Sequence, residues 1–215
     1  MKKKKALILT LGFDEKFCYR AILRHGIKEG DKIVVFSASK EERVKKAFEM
    51  IKNFVEKSYG REVEIRFFEV DVKQIAKAIN FVQQIIREYK HMEIIANLSG
   101  GMRALVIVVL FALLLESENN VSLEIELEDF SGIVELPKAL LNAKLIFKEL
   151  SYERKKILKH ISQGCSTIEE LCSEISKDET TLRRHVAVLE KLGMINVEKR
   201  KPLKFKITET GKLFL

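Results

Sequence analysis

The chain has 215 residues and a mass of 24.8 kDa, enough for one large or two small domains at roughly 100–200 residues each. With 47% hydrophobic and 33% charged residues it holds the material for packed cores, which excludes global disorder. Its 39 Lys+Arg against 31 Asp+Glu give a net charge of +8, which invites an anionic partner without separating nucleic acid from a membrane surface.

The opening Met1-Lys2-Lys3-Lys4-Lys5 and the apolar Ala6 to Phe13 imitate a signal peptide. Asp14 and Glu15 cut that run short and no small-residue cleavage site follows, so we read a first strand, Ala6–Thr10, with a lysine-rich solvated start. A helix over Asp14–His25 follows, then a strand at Lys32–Phe36 and a helix over Glu41–Ser58, with Val44, Phe48, Ile51 and Val55 at 3–4 spacing. Next come a strand at Glu62–Phe68, a helix at Val72–Tyr89, a strand at Glu93–Asn97 and a helix at Met102–Leu115. A fifth strand, Val121–Leu127, and a short one at Ile133–Glu135 close the series. Such alternation predicts an α/β fold, a doubly wound and mainly parallel Rossmann-like sheet over residues 1–136. The apolar run Ala104–Leu115 falls short of the about 20 residues a membrane span needs, so a helix buried on all sides or against a partner subunit is expected.

Pro137 marks a break, and Lys138–Leu150 reads as a connecting helix. Residues 151–215 change character. Helices are expected at Tyr152–Ile161, at Thr167–Ile175 with Thr167 and Glu170 as a capping box, and at Asp178–Leu192 with Gly193 after it. Strands at Ile195–Glu198 and Lys204–Ile207 form a hairpin across Lys199-Arg200-Lys201-Pro202. This is the layout of a winged helix-turn-helix, whose third helix enters the major groove while the wing touches the backbone. Thr180, Thr181, Arg183, Arg184 and His185 on that helix are the candidate DNA contacts, and Lys199, Arg200 and Lys201 suit phosphate oxygens. The small domain carries a net +5 and residues 1–150 carry +3. A winged helix used only for protein contact is the alternative.

Cys18, Cys165 and Cys172 make no even framework, and His25, His91, His160 and His185 are scattered. No disulfide scaffold, metal site or cofactor is expected, and the cysteines read as small core residues of a cytoplasmic, non-membrane protein.

In an open α/β sheet, ligands bind beyond the carboxyl ends of the strands where the strand order reverses, here between strands 1 and 4 of the order 3-2-1-4-5. Strand 1 runs into Thr10-Leu11-Gly12-Phe13-Asp14, and strand 4 into Asn97-Leu98-Ser99-Gly100-Gly101-Met102-Arg103. Two glycines, a hydroxyl and an arginine at a helix start suit phosphate groups. Equally, the glycines fit a tight strand-to-helix turn with Asn97 as a buried cap. Neither GxGxxG nor GxxxxGK[ST] is present, which disfavours a dinucleotide cofactor and a P-loop.

These two elements and the following winged helix resemble archaeal CRISPR-associated transcriptional regulators, which join a CARF domain to a winged helix-turn-helix. The resemblance implies a homodimer whose CARF domains bind a cyclic oligoadenylate around a two-fold axis, with the four-adenylate ring as the expected size and promoter duplex as the second partner. It places Met102–Leu115 near the subunit contact. It also implies an alternative: slow metal-free cleavage of the ring, with Thr10, Ser99 and Arg103 as participants. No histidine or paired carboxylate in these loops offers a general base, which favours a sensor.

Overall fold

The β-branched runs form strands and the 3–4 spaced runs form helices, in the order the patterning dictates. The computed structural model describes residues 3–38, 41–60, 62–116, 121–141 and 143–215. Met1 and Lys2 of the solvated start, and Asn142 of the connecting helix, lie outside them. The chain divides into two compact units, Met1–Leu136 and Pro137–Leu215.

In the first unit the elements are β1 (Lys5–Leu11), α1 (Lys16–His25), β2 (Lys32–Ser37), α2 (Glu42–Tyr59), β3 (Glu64–Glu69) and α3 (Ile75–Glu88). They continue with β4 (Glu93–Asn97), α4 (Arg103–Glu116), β5 (Val121–Glu126) and β6 (Ile133–Glu135). The sheet order is β3-β2-β1-β4-β5-β6, parallel except for the antiparallel β6. β1 is buried on both faces, as a central parallel strand must be when helices cover each side. Leu7, Leu9 and Leu11 share one core cluster with Ile22 of α1 and Val44, Ile51 and Val55 of α2. Each such fully buried aliphatic side chain contributes about 1.5–3 kcal/mol over exposure.

The order puts β1 beside β4 with the reversal between them, so the two loops expected at the switch point meet. α4 departs from the expectation of burial on all sides. Leu105, Val108, Val109, Ala112 and Leu113 are buried, whereas Ile107, Phe111 and Leu115 are 48%, 49% and 48% exposed at four-residue spacing. One face packs inward and the other is an uncovered apolar stripe. No helix among the described residues is long and apolar enough to cross a membrane.

The second unit holds α5 (Lys138–Leu141), α6 (Ala143–Glu149), α7 (Tyr152–Ser162), α8 (Ile168–Glu174), α9 (Glu179–Lys191), β7 (Ile195–Arg200), β8 (Leu203–Ile207) and α10 (Glu209–Lys212). Residues 137–150, read from the sequence as a linker, supply Ile146 to this unit's core beside Ile157, Leu182 and Phe205. The Thr167–Glu170 capping box forms as read, with both of its hydrogen bonds. Thr167 also bridges to Lys204, and the Phe205 amide donates to the Ser166 carbonyl, so the segment before α8 joins the wing sheet. The cysteines are free: Cys18 is buried, and Cys165 and Cys172 are half-buried against the core.

Candidate functional site

The carboxyl ends of β1 and β4 enclose a cavity of about 640 Å³. Of the candidate residues, Leu11, Gly12, Phe13, Asp14, Ser99, Gly100, Gly101 and Met102 line it. Two of the loops that line it meet backbone against backbone. A Cβ on Gly12 would lie 3.1 Å from the Gly101 Cα, and one on Gly100 would lie 2.6 Å from the Thr10 carbonyl oxygen. Gly101 has φ +87°, a left-handed conformation that costs a side chain strain. The glycine pair is therefore both a tight turn and a close approach of two loops.

Four candidates lie outside the lining. Thr10 is buried and donates its hydroxyl to the Gly100 carbonyl at 2.6 Å, tying β1 to the glycine turn. A hydroxyl committed in this way is not a free participant in ring cleavage. Asn97 is also buried: its Nδ2 donates to Glu124 Oε1 at 2.9 Å, and its Oδ1 accepts from the Ser99 amide at 3.3 Å. It is buried, as the alternative reading has it, but it braces the turn at Ser99 and not the start of α4. Leu98 is a core residue at 3% exposure. Arg103 is exposed at the start of α4, on the same four-residue spacing as Ile107, Phe111 and Leu115, and does not line the cavity.

Ser99 is held at the cavity by the Glu126 amide, which donates to its Oγ at 2.7 Å and leaves the hydroxyl's own hydrogen to donate. Behind it lies a network the sequence did not disclose. Glu124 and Glu126 of β5 are 5% and 2% exposed, and α1 answers them with cations. Arg24 reaches Glu124 at 2.7 Å and Glu126 at 3.3 Å, and Arg20 pairs with Glu126. His25 Nε2 sits 3.1 Å from Glu124 Oε1, off the line of a good hydrogen bond. Burial pushes the Glu124 carboxyl up, but His25, Arg24 and Asn97 together outweigh it and hold the group at about 2.

Lys16, Phe17, Ser37, Ala38, Val44, Glu128 and Phe130 complete the lining. Ser37 ends β2 and Ala38 follows it, so the switch-point rule extended by one strand finds them. Glu128 and Phe130 sit between β5 and β6, where sequence periodicity has no signal. Asp14 and Glu128, from loops distant in sequence, both line the cavity. The Lys16 backbone amide holds the Asp14 carboxyl below its ordinary value, and the Lys16 ammonium pairs with it at 3.2 Å. Burial, then the charges of Glu15 and Asp14, push the Cys18 thiol up to about 12, so it supplies no thiolate. Among the described residues no group of three His, Cys, Asp or Glu side chains could hold a metal ion.

Residues 5–137 match the family described as the Csa3 CRISPR-associated Rossmann-like domain. The chain belongs to that family. Beyond its Csa3 domain, residues 151–197 match the helix-turn-helix of bacterial regulatory proteins of the arsR family, so the second unit is a winged helix-turn-helix. No curated protein matches the chain. Among solved structures it is similar to Enterococcus italicus Csm6 bound to cyclic hexa-2′-fluoro-hexa-dAMP, at 13% identity and a TM-score of 0.51, covering 88% of this chain and 52% of that one. It is also similar to protein VC1899 from Vibrio cholerae, at 12% identity and a TM-score of 0.44, covering 98% and 63%. The chain thus spans about half to three-fifths of these structures' lengths. The likeness to Csm6 shows a shared fold.

In the second unit, α9 presents Thr180, Arg183 and Arg184 exposed, with Thr181 half-buried. Asp178 caps α9 by accepting from the Thr181 amide at 2.8 Å, which takes one of the amides that could otherwise hold a phosphate. The contacts left to α9 are those of its side chains. Arg183 is bound to Glu179 one turn away at 2.6 Å, a surface pair worth about 0.3–0.5 kcal/mol that a phosphate can displace. His185 differs from its neighbours: it is half-buried with Nδ1 sealed from solvent. Burial, then the positive charges of Arg154 and Lys177, lower its pKa and keep the imidazole neutral. On the wing Lys199 and Lys201 are exposed, and Arg200 reaches Glu190 at 3.0 Å.

Proposed function

We propose that this Csa3-family chain is a cytoplasmic, ligand-responsive regulator of CRISPR-associated genes. A cyclic oligoadenylate, with the four-adenylate ring as the first choice, binds at the glycine turn of a homodimer. Binding then changes the affinity of the winged helices for promoter DNA. The observation that carries this reading is the close backbone approach of the two glycine-bearing loops at the 640 Å³ cavity, in a chain that also contains a DNA-reading motif. Close backbone approach without side chains suits a ligand whose phosphates recur.

The ring has a two-fold axis, and a two-fold dimer presents Ser99, Gly100, Gly101 and Arg103 twice. Support for the dimer comes from α4, where the apolar stripe of Ile107, Phe111 and Leu115 leads to Arg103. In that arrangement Arg103, outside the cavity of one chain, is a charge at the edge of a shared one. The Csm6 structure of similar fold is bound to a cyclic adenylate analogue, which is the same ligand chemistry.

Calorimetry with synthetic cyclic tetra-adenylate tests the reading. Arg103→Ala is expected to weaken ring binding roughly tenfold or more, the worth of a charge-assisted hydrogen bond, while DNA binding without ring survives. Unchanged ring affinity in this variant removes Arg103 from the site. For the DNA face, the Arg183→Ala/Arg184→Ala double variant should bind promoter duplex more weakly. It should also flatten the log–log salt dependence by about 2, one for each phosphate that is no longer neutralised. An unaltered salt slope, measured by fluorescence anisotropy, assigns the winged helix to protein contact instead.

A further inference from the structure

Three phenylalanines line the cavity, and two of them stay exposed: Phe13 at 55% and Phe130 at 41%. They come from opposite sides of the glycine turn, Phe13 following β1 and Phe130 lying between β5 and β6, with β4 between those strands. Each carries a guanidinium over its ring. Arg43 Cζ is 5.2 Å from the Phe13 centroid, and Arg20 Cζ is 4.9 Å from that of Phe130.

Phe130 is also the one non-glycine residue with positive φ among the described residues, at 59°. A bulky side chain there costs of order 1–3 kcal/mol, and such strain persists only where the surroundings over-determine it. The hairpin does so. The Leu127 amide donates to the Gly132 carbonyl and the Phe130 amide to the Leu127 carbonyl, both at 2.9 Å. Asp129 Oδ1 accepts from the Ser131 amide and hydroxyl, at 3.0 and 2.6 Å. The Phe130 ring then meets Phe17 at 5.4 Å. Arg20 is in turn anchored on Glu126, whose amide holds Ser99. The exposed ring and the glycine turn therefore belong to one braced structure.

We propose that Phe130 and Phe13 are stacking platforms for nucleobases of the ring bound at the glycine turn, favouring purines over pyrimidines. Nucleobases stack on exposed aromatic rings, and a purine offers the larger face. The turn engages the phosphates and the two rings read the bases on either side of it. This rests on the cyclic oligoadenylate reading of the cavity.

The chain contains no tryptophan, so Phe130→Trp and Phe13→Trp each install a single fluorophore in the full-length protein. Titration with cyclic tetra-adenylate should quench both while affinity is retained. Phe130→Ala should weaken binding by roughly tenfold or more, and cyclic tetra-uridylate should bind wild-type protein correspondingly less well. Silent tryptophans with wild-type affinity in Phe130→Ala and Phe13→Ala overturn the stacking role and leave the ring reading intact. No binding of cyclic tetra-adenylate to wild-type protein overturns both.

Discussion

Gly100→Ala is expected to lose ring binding and to melt roughly 10 °C below the parent in its Rossmann-like unit. The added Cβ meets the Thr10 carbonyl oxygen at 2.6 Å, and that oxygen belongs to β1, a central strand with no room to withdraw. Forcing atoms into a packed interior costs typically about 1–3 kcal/mol. The Thr10 hydroxyl bond to Gly100, worth about 1 kcal/mol more, is lost if the turn moves. A total of about 3 kcal/mol, at roughly 3 °C per kcal/mol for a unit of this size, gives the shift. Thr10→Val is the control. It removes the hydrogen bond and keeps the shape, so it should cost only about 1 kcal/mol. Differential scanning calorimetry of both variants checks the pair, and a Gly100→Ala transition coincident with the parent's would contradict the close approach.

The second large effect is at Glu124. Its carboxyl sits at about 2 in the fold against an ordinary 4.5. A depressed carboxylate contributes stability that is complete above pH 4.5 and is lost as pH falls from 4.5 toward 2. The size of the shift corresponds to about 3 kcal/mol. Glu124→Gln keeps the shape and removes the charge, so its stability should fall less steeply than the parent's over that window. Glu124→Ala should cost about 3–5 kcal/mol at neutral pH, because Arg24 and Asn97 are left facing a gap. Urea unfolding at pH 6, 4 and 3 measures both. Parallel pH profiles for the parent and Glu124→Gln would show that Glu124 carries no such linkage. Because Asn97 links Glu124 to the Ser99 amide, both variants should also loosen the glycine turn of the proposed ring site.

Much of this molecule was legible in its sequence. The strands of the parallel sheet, the glycine turn after β4 and the helix–turn–helix–wing order follow from periodicity, turn chemistry and capping. The winged domain went further than expected only in its ends: residues 137–150 contribute Ile146 to its core, and α10 was not foreseen. What stayed hidden are interactions between segments far apart in the chain. Glu124 and Glu126 alternate with apolar residues and read locally as a solvent-facing strand side, yet α1 covers them with Arg20 and Arg24. Thr10 and Asn97 have the chemistry of ligand contacts, but both spend it on bracing the turn. Phe130 carries no local signal at all, since a left-handed phenylalanine is visible only in the backbone. Net charge misleads in the same way, because the larger unit's near balance conceals a site that rests on backbone geometry.

The most direct test is a calorimetric titration of cyclic tetra-adenylate into the full-length chain, paired with promoter-duplex affinity measured with and without saturating ring. Expected is one ring bound per two chains and a change in duplex affinity of about 5- to 150-fold, the usual range of coupling between two sites. Ring that saturates at one per chain, or that binds without moving duplex affinity, would contradict a two-fold sensor coupled to DNA.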